Sequence, residues 1–245
     1  MPANTSFCEK PLTATRADAV RCFDAAAAAG RILTEGFMWR LHPQTTLARE
    51  LVDGGTIGRI AHIRTALRNT AGPGDIRRSV PLAGGALADL GGYCTSAIRL
   101  FGGEPDRVTA EAVFDGVDVR FSALIRLPGG ALATFDTALD LPRADELELI
   151  GTEGSLRIPD PWICRNGHPE LTRKGVTEQI PVDPAGQHAL TGSEADPYRI
   201  EFETVSAAIT GGPPLTFARE DAIAQATTCE ALMYAATSGL PVTLR

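Results

Sequence analysis

Asp89 and Tyr93 stand four residues apart in the stretch Gly84–Phe101, GGALADLGGYCTSAIRLF. At 3.6 residues per turn this spacing predicts a helix that sets the acid and the phenol one turn apart on the same surface. Leu87, Leu90, Cys94, Ala97, Ile98 and Phe101 fall on one apolar arc of roughly 100°, and Asp89, Tyr93 and Ser96 fall opposite it, with Gly85 and Gly92 beside them. Such a pair suits proton transfer to or from a hydroxyl, and a tyrosine takes the base role when a nearby ammonium depresses its pKa. The glycines would leave room there for a small molecule. The other reading is a surface helix with a solvated Asp and Tyr whose glycines serve packing. Periodicity alone leaves both open.

The surrounding elements follow from capping and period. Few residues precede Cys8-Glu9-Lys10-Pro11-Leu12, too few for an element of their own. Thr15 and Asp18 have capping-box spacing and open a helix with Val20, Phe23 and Ala27 on one side, which Gly30 ends. Residues 31–38 read as a buried strand, so that strand–helix–strand forms one βαβ unit. A parallel sheet needs several strands with both faces covered. Further strands are therefore expected ahead of Met1, and the strand at 31–38 is expected to have an unpaired edge, with residues 1–40 mobile or paired to another chain.

A helix over 45–53 and a strand over 57–68 come next, then a Gly-, Pro- and Arg-rich loop over 69–80. After Pro105 the period changes to two. Val119, Phe121, Ala123 and Ile125 make an apolar row, and Asp118, Arg120, Ser122 and Leu124 a mixed one. Residues 106–158 thus predict an antiparallel meander with a closing hairpin, one face on helices and the other on a second subunit. Residues 160–195 read as irregular loop with one short hairpin. Asp196-Pro197 opens a helix burying Tyr198, Phe202, Val205 and Ile209, and a last helix over 219–238 stops at Gly239 before a closing strand.

The 245 residues carry a formal net charge of −7, with 44% hydrophobic and 22% charged residues. The acidic balance argues against nucleic-acid and anionic-membrane partners. No apolar run reaches the roughly 20 residues of a membrane span, and the first residues lack a signal-peptide pattern. Five scattered cysteines give neither a disulfide framework nor a zinc site. The expectation is a reduced, cytoplasmic protein without a metal.

Several segments in register resemble the Gfo/Idh/MocA family, the glucose–fructose oxidoreductase and inositol dehydrogenase group. They are Glu9-Lys10-Pro11; Glu35-Gly36-Phe37-Met38-Trp39-Arg40 with His42-Pro43; Gly84-Gly85-Ala86-Leu87 with Asp89-Leu90-Gly91-Gly92-Tyr93; Gly103-Glu104-Pro105; and Gly151-Thr152-Glu153-Gly154. Tyr93, where many members carry His, is most similar to the dihydrodiol and sugar dehydrogenase-like branch. The resemblance implies an α+β fold, a predominantly antiparallel open sheet covered by helices on one face (residues 43–245). Residues 1–42 would be the remnant βαβ unit of a dinucleotide-binding Rossmann domain. It implies Lys10, Asp89 and Tyr93 as catalytic residues, Glu9, Lys10, Pro11 and Arg40 at the cofactor, and Trp39 and His42 at a small sugar- or polyol-like substrate, with His42 equally readable as a structural residue beside Pro43. The implied cofactor is NAD(P), and the implied assembly is a homodimer or tetramer through the open sheet.

The G-x-G-x-x-G turn that holds a dinucleotide pyrophosphate is absent from the sequence. The strands that would precede Cys8, roughly 80 residues at 30 or more per βαβ unit, have no counterpart. The chain is therefore expected to bind neither NAD(H) nor NADP(H) usefully. Three readings stand: an oxidoreductase truncated at its N-terminus, a relative doing non-redox acid–base chemistry in an Asp89/Tyr93 pocket, and a non-catalytic remnant that associates through its sheet.

Overall fold

A computed structural model describes residues 5–165, 168–182 and 196–244; part of the loop expected over 160–195 lies outside them. Thr5–Glu9 forms β1, so the stretch before Lys10 is an element after all. It runs parallel to β2 (Ile32–Gly36), with Cys8 opposite Glu35 and Glu9 opposite Gly36. The strand expected over 31–38 is thus paired on one side. α1 (Arg16–Ala28) connects the two. Thr15 accepts from the Asp18 N–H and donates its hydroxyl to the Asp18 carboxylate, and Gly30 follows the helix at φ 61°.

The second sheet has nine strands. They are β3 (Ile60–Thr70), β4 (Arg107–Asp115), β5 (Val117–Arg126), β6 (Leu132–Ala138), β7 (Asp140–Gly151), β8 (Ser155–Ile158), β9 (Glu170–Arg173), β10 (Val176–Gln179) and β11 (Val242–Thr243). Their order is β10-β9-β8-β7-β3-β6-β5-β4-β11. The simple meander is corrected at one point: β3 inserts between β6 and β7, parallel to β6 and antiparallel to β7. Strand period two makes an apolar row but does not choose the neighbour. Val119, Phe121, Ala123 and Ile125 are buried as the alternation requires, whereas Arg120, Ser122 and Leu124 point out. Asp118 leaves its expected row: it is 2% exposed and faces a helix start instead.

The helices α2 (Pro43–Asp53), α3 (Gly92–Gly102), α4 (Pro197–Ile209) and α5 (Arg219–Ser238) complete the fold. α3 packs on β3 and β6, and α5 on β4. The helix expected over 84–101 is not uniform. Leu87–Gly91 is a π-helical turn, with the Gly92 N–H reaching Leu87 O, and α3 begins only after it. Nor does α3 have an open polar side: Gly92 through Arg99 are all buried, because Arg40 covers Ser96 and Gln225 of α5 covers Gly92 O. The glycines serve packing rather than a ligand. A Cβ at Gly85 would lie 2.0 Å from Asp118 Oδ1, one at Gly84 2.4 Å from Arg77 O, and one at Gly92 would make ordinary contact with Phe37. On α4, Val205 is buried as expected, while Tyr198 and Phe202 are not, at 38% and 54% exposed. Phe202 nonetheless meets the Phe7 ring at 5.3 Å, joining α4 to β1.

Candidate active site

β1 ends where its last residues meet the π-turn. Lys10 Nζ donates to Asp89 Oδ1 at 2.8 Å and to the Asp89 main-chain oxygen at 2.7 Å. The other Asp89 oxygen accepts from Arg77 Nε at 2.7 Å. The Lys10 ammonium also sits 4.8 Å from the centre of the Tyr93 ring, a cation–π contact. The π-turn supplies an Asp89 carbonyl that Lys10 can reach, and such turns are frequent at functional sites. Lys10, Asp89 and Tyr93 are therefore together, as the sequence leads one to expect, with Glu9 beside them.

The electrostatics of Tyr93 differ from expectation. Its side chain is 7% exposed, and burial pushes its hydroxyl well above the usual phenol range, with Tyr198, Glu9, Asp89 and Glu201 adding to the rise. The hydroxyl donates to Met38 Sδ at 3.6 Å. Burial thus acts against the lowered pKa that an ammonium at the ring face suggests. Sequence spacing could not reveal this, because it brings Lys10 to the ring face but says nothing about desolvation.

These groups line a cavity of about 350 Å³ together with Asn69, Arg77, Arg143, Trp162 and Tyr198. On the other side of Lys10 a second hollow, about 460 Å³, runs past Pro11, Glu35, Leu82, Asp118 and Met233. The Asp89/Tyr93 pocket is thus present, at modest size. A larger hollow, about 700 Å³, lies on the sheet among Arg64, Glu111, Ser122 and Asp136, away from every candidate residue.

Three expected site residues are not brought to the Lys10 cavity. Arg40 is 6% exposed, its guanidinium committed to Ser96 and Asp221 and stacked on Phe37 and Phe217. His42 is 2% exposed and caps α2, its Nδ1 accepting from the Gln44 N–H, the structural alternative weighed for it. Trp39 is 1% exposed and meets Trp162 edge-on at 5.5 Å, one layer behind the cavity wall. Sequence reasoning missed Asn69, Arg77, Arg143, Trp162 and Tyr198. Only Arg77 and Tyr198 had a signal, as one of the arginines of the 69–80 loop and as the first aromatic after the Asp196-Pro197 cap.

Glu201, on α4 one turn beyond Tyr198, is 3% exposed and holds its carboxyl at about 7, raised by burial and by Glu9 and lowered by the Phe37 N–H and Arg40. The folded protein then keeps a proton that the unfolded chain releases near 4.5. Stability is consequently greatest below that value and falls as pH rises through about 7, by on the order of 3 kcal/mol at 1.36 kcal/mol per unit. Glu201→Gln is expected to flatten this fall while its amide oxygen still accepts from Phe37. Urea melts at pH 5 and pH 8 check it, and an unchanged slope would assign the pH dependence elsewhere.

Lys10 clamped by Asp89, the buried phenol of Tyr93 and the cavity they share thus make up the candidate site. Residues 45–157 match the GFO/IDH/MocA C-terminal domain. The chain is 34% identical to D-xylose 1-dehydrogenase (NADP(+)) 2 of Haloferax volcanii, over 97% of this chain and 72% of that protein. It superposes with TM-score 0.85 and 26% identity on an aldose-aldose oxidoreductase from Caulobacter crescentus complexed with glycerol, over 97% of this chain and 71% of that one. With TM-score 0.82 and 27% identity it matches a 3-ketoreductase from Actinomadura kijaniata in complex with NADP and TDP-benzene, over 93% and 69%. The chain belongs to the Gfo/Idh/MocA family.

The family implies a nicotinamide dinucleotide, and the described residues do not fit its pyrophosphate. The turn between β1 and α1, Lys10 to Thr15, contains no glycine, and the α1 N-terminus is filled by Thr15 and Asp18. The helix starting at the π-turn is occupied by the Asp118 carboxylate, which accepts from the Leu87 N–H at 2.7 Å. α4 is capped by Asp196, and α5 carries Glu220 and Asp221 in its first turn. α2 is capped by His42, so among the described residues α1, α2 and α4 each start on a side-chain cap of their own and α5 opens on two acidic residues.

Proposed function

We propose that this chain is the substrate-binding part of an oxidoreductase acting at a hydroxyl or carbonyl carbon of a sugar, polyol or diol. Lys10, Asp89 and Tyr93 surround the reacting oxygen. The observation that carries this reading is the placement of Lys10. Two of its three ammonium hydrogens are held by Asp89, and the third can donate to an oxygen in the cavity. A preorganised cation there favours negative charge developing on that oxygen. Tyr93 fixes the ammonium through its ring. Residues 1–42 are read as the last βαβ unit of a dinucleotide-binding domain, with Glu9 and Pro11 flanking the lysine.

The test is calorimetric titration with D-xylose. A charge-assisted hydrogen bond contributes about 1.5–3 kcal/mol, so Lys10→Met is expected to weaken the sugar about tenfold or more. Equal affinity in a folded variant would remove Lys10 from the substrate oxygen. Non-redox acid–base chemistry in the same cavity is the second reading, and the absent pyrophosphate seat favours it. We also read the open sheet face, with Arg64, Arg120, Ser122 and Leu124 exposed, as the contact of a homodimer or tetramer. A monomeric mass by light scattering at micromolar concentration would end that reading.

A further inference from the structure

α4 is held to the rest of the fold by few side chains. Of its thirteen residues only Pro197, Glu201 and Val205 are buried, whereas α3 buries eight of its eleven. One of those three anchors is therefore an acid. A segment with so little buried apolar surface lies at the low end of local stability, so a charge on that acid acts on the whole helix. The same helix carries Tyr198, one turn before Glu201, into the wall of the Lys10 cavity.

Glu201 sits where a charge has little to offset it. It borders a void of about 20 Å³, shared with Thr34, Glu35, Phe37 and Arg40, with room for about one water. The groups facing its carboxyl are Glu9 on β1, Arg40 after β2, Tyr93 on α3 and Tyr198 on α4 itself. Glu35 on β2 adds a second acid, whose Oε2 is buried without a hydrogen-bond partner among the described residues. Arg40, the cation of this set, is already paired with Asp221. A carboxylate at Glu201 thus meets two further acids and a committed arginine, while the neutral acid keeps only the Phe37 N–H to satisfy.

We propose that Glu201 is a positioning residue for the Lys10 cavity. Protonated, it seats α4 against β1 and β2 with Tyr198 in the cavity wall; ionised, it loosens the helix and that wall with it. This rests on the reading of the cavity as the substrate site. The seated helix keeps the Glu201 proton up to about 7, and the loosened one releases it near 4.5. Loosening therefore grows between those two values as pH rises, and levels off above them.

The experiment is hydrogen exchange on the full chain at pH 5 and pH 8, read by mass spectrometry and corrected for the chemical exchange rate. From pH 5 to pH 8, α4 should lose at least about tenfold in protection. At pH 8 it should also exchange at least about tenfold faster than α3. In Glu201→Gln, whose amide oxygen still accepts from Phe37, most of the loss should vanish. Equal protection of α4 at both pH values, or the same loss in Glu201→Gln, overturns the proposal. So does equal protection of α4 and α3 at pH 8, since the helix would then open only with the whole fold. Saturating D-xylose should restore α4 protection at pH 8, because a ligand of the cavity favours the seated helix. D-xylose that binds by calorimetry and leaves α4 exchange unchanged overturns the link between α4 and the cavity. D-xylose that does not bind overturns the substrate reading, and exchange without sugar still decides whether Glu201 seats the helix.

Discussion

Gly85→Ala is expected to cost on the order of 3 kcal/mol or more, the sum of backbone strain and a buried polar group left without its partner. Gly85 sits at φ 138°, where side chains are rarely tolerated. The new methyl would fall 2.0 Å from Asp118 Oδ1, so the carboxylate has to move. Asp118 cannot move freely. It is 2% exposed, burial lifts its carboxyl to about 6, and it is the acceptor for the Leu87 N–H at the helix start. The loss should reach the site as well, because the Asp89 N–H donates to Gly85 O and Asp89 holds Lys10. Gly116→Ala is the control: its φ is 75° but its Cβ would meet open space, so it should cost only about 1 kcal/mol. Urea melts of the two variants separate the effects. Equal losses would show that the fit of Asp118 against Gly85 is not what demands the glycine.

The same residues show what could be read from the chain and what could not. Caps and period located nearly every element: Thr15 with Asp18, Asp196 with Pro197, the alternation from Val117 to Ile125, and Gly239 at φ 69° after α5. These are local signals, written in neighbouring residues. What failed was non-local. Nothing near β3 announces that it pairs with β6 in parallel, since that pairing is decided by a partner some 70 positions away, His62 opposite Leu132. The Asp118 carboxylate looks like part of a surface row until the helix start above it is in place. Lys10 with Asp89 and Tyr93 was legible from family motifs. Arg40, Trp39 and His42 belong to those motifs too, but their neighbours bury them. A motif shared within a family marks structural residues as readily as reactive ones. Burial alone does not separate the two, since Tyr93 is 7% and Arg40 6% exposed; lining the cavity beside Lys10 does, and burial raises the Tyr93 hydroxyl where the sequence suggested a lowered one.

The chain is expected to bind NAD(H) and NADP(H) more than a thousandfold more weakly than a complete dinucleotide site would. Backbone N–H groups at a glycine-rich turn and helix start each give a charged pyrophosphate oxygen about 1.5–3 kcal/mol. Losing three of them exceeds about 4 kcal/mol, three decades at 1.4 kcal/mol per decade. Here the fingerprint is absent from the 245 residues. The connection of the parallel pair β1 and β2, from β1 into α1, ends on a helix start where Thr15 and Asp18 satisfy each other. Asp18 there does more than occupy the site: its negative charge at the positive end of the helix repels a second anion. Lys10 and the hollow past Pro11 and Glu35 could still touch a nicotinamide ring, but an uncharged ring cannot replace the lost phosphate contacts. The measurement is titration of NADH and NADPH followed by nicotinamide fluorescence, repeated with D-glucose present. Dissociation constants weaker than about 50 μM in both series are expected, since a micromolar cofactor weakened a thousandfold becomes millimolar. A constant tighter than that would show that backbone outside these helix starts holds the pyrophosphate, and would make this chain a complete redox site by itself.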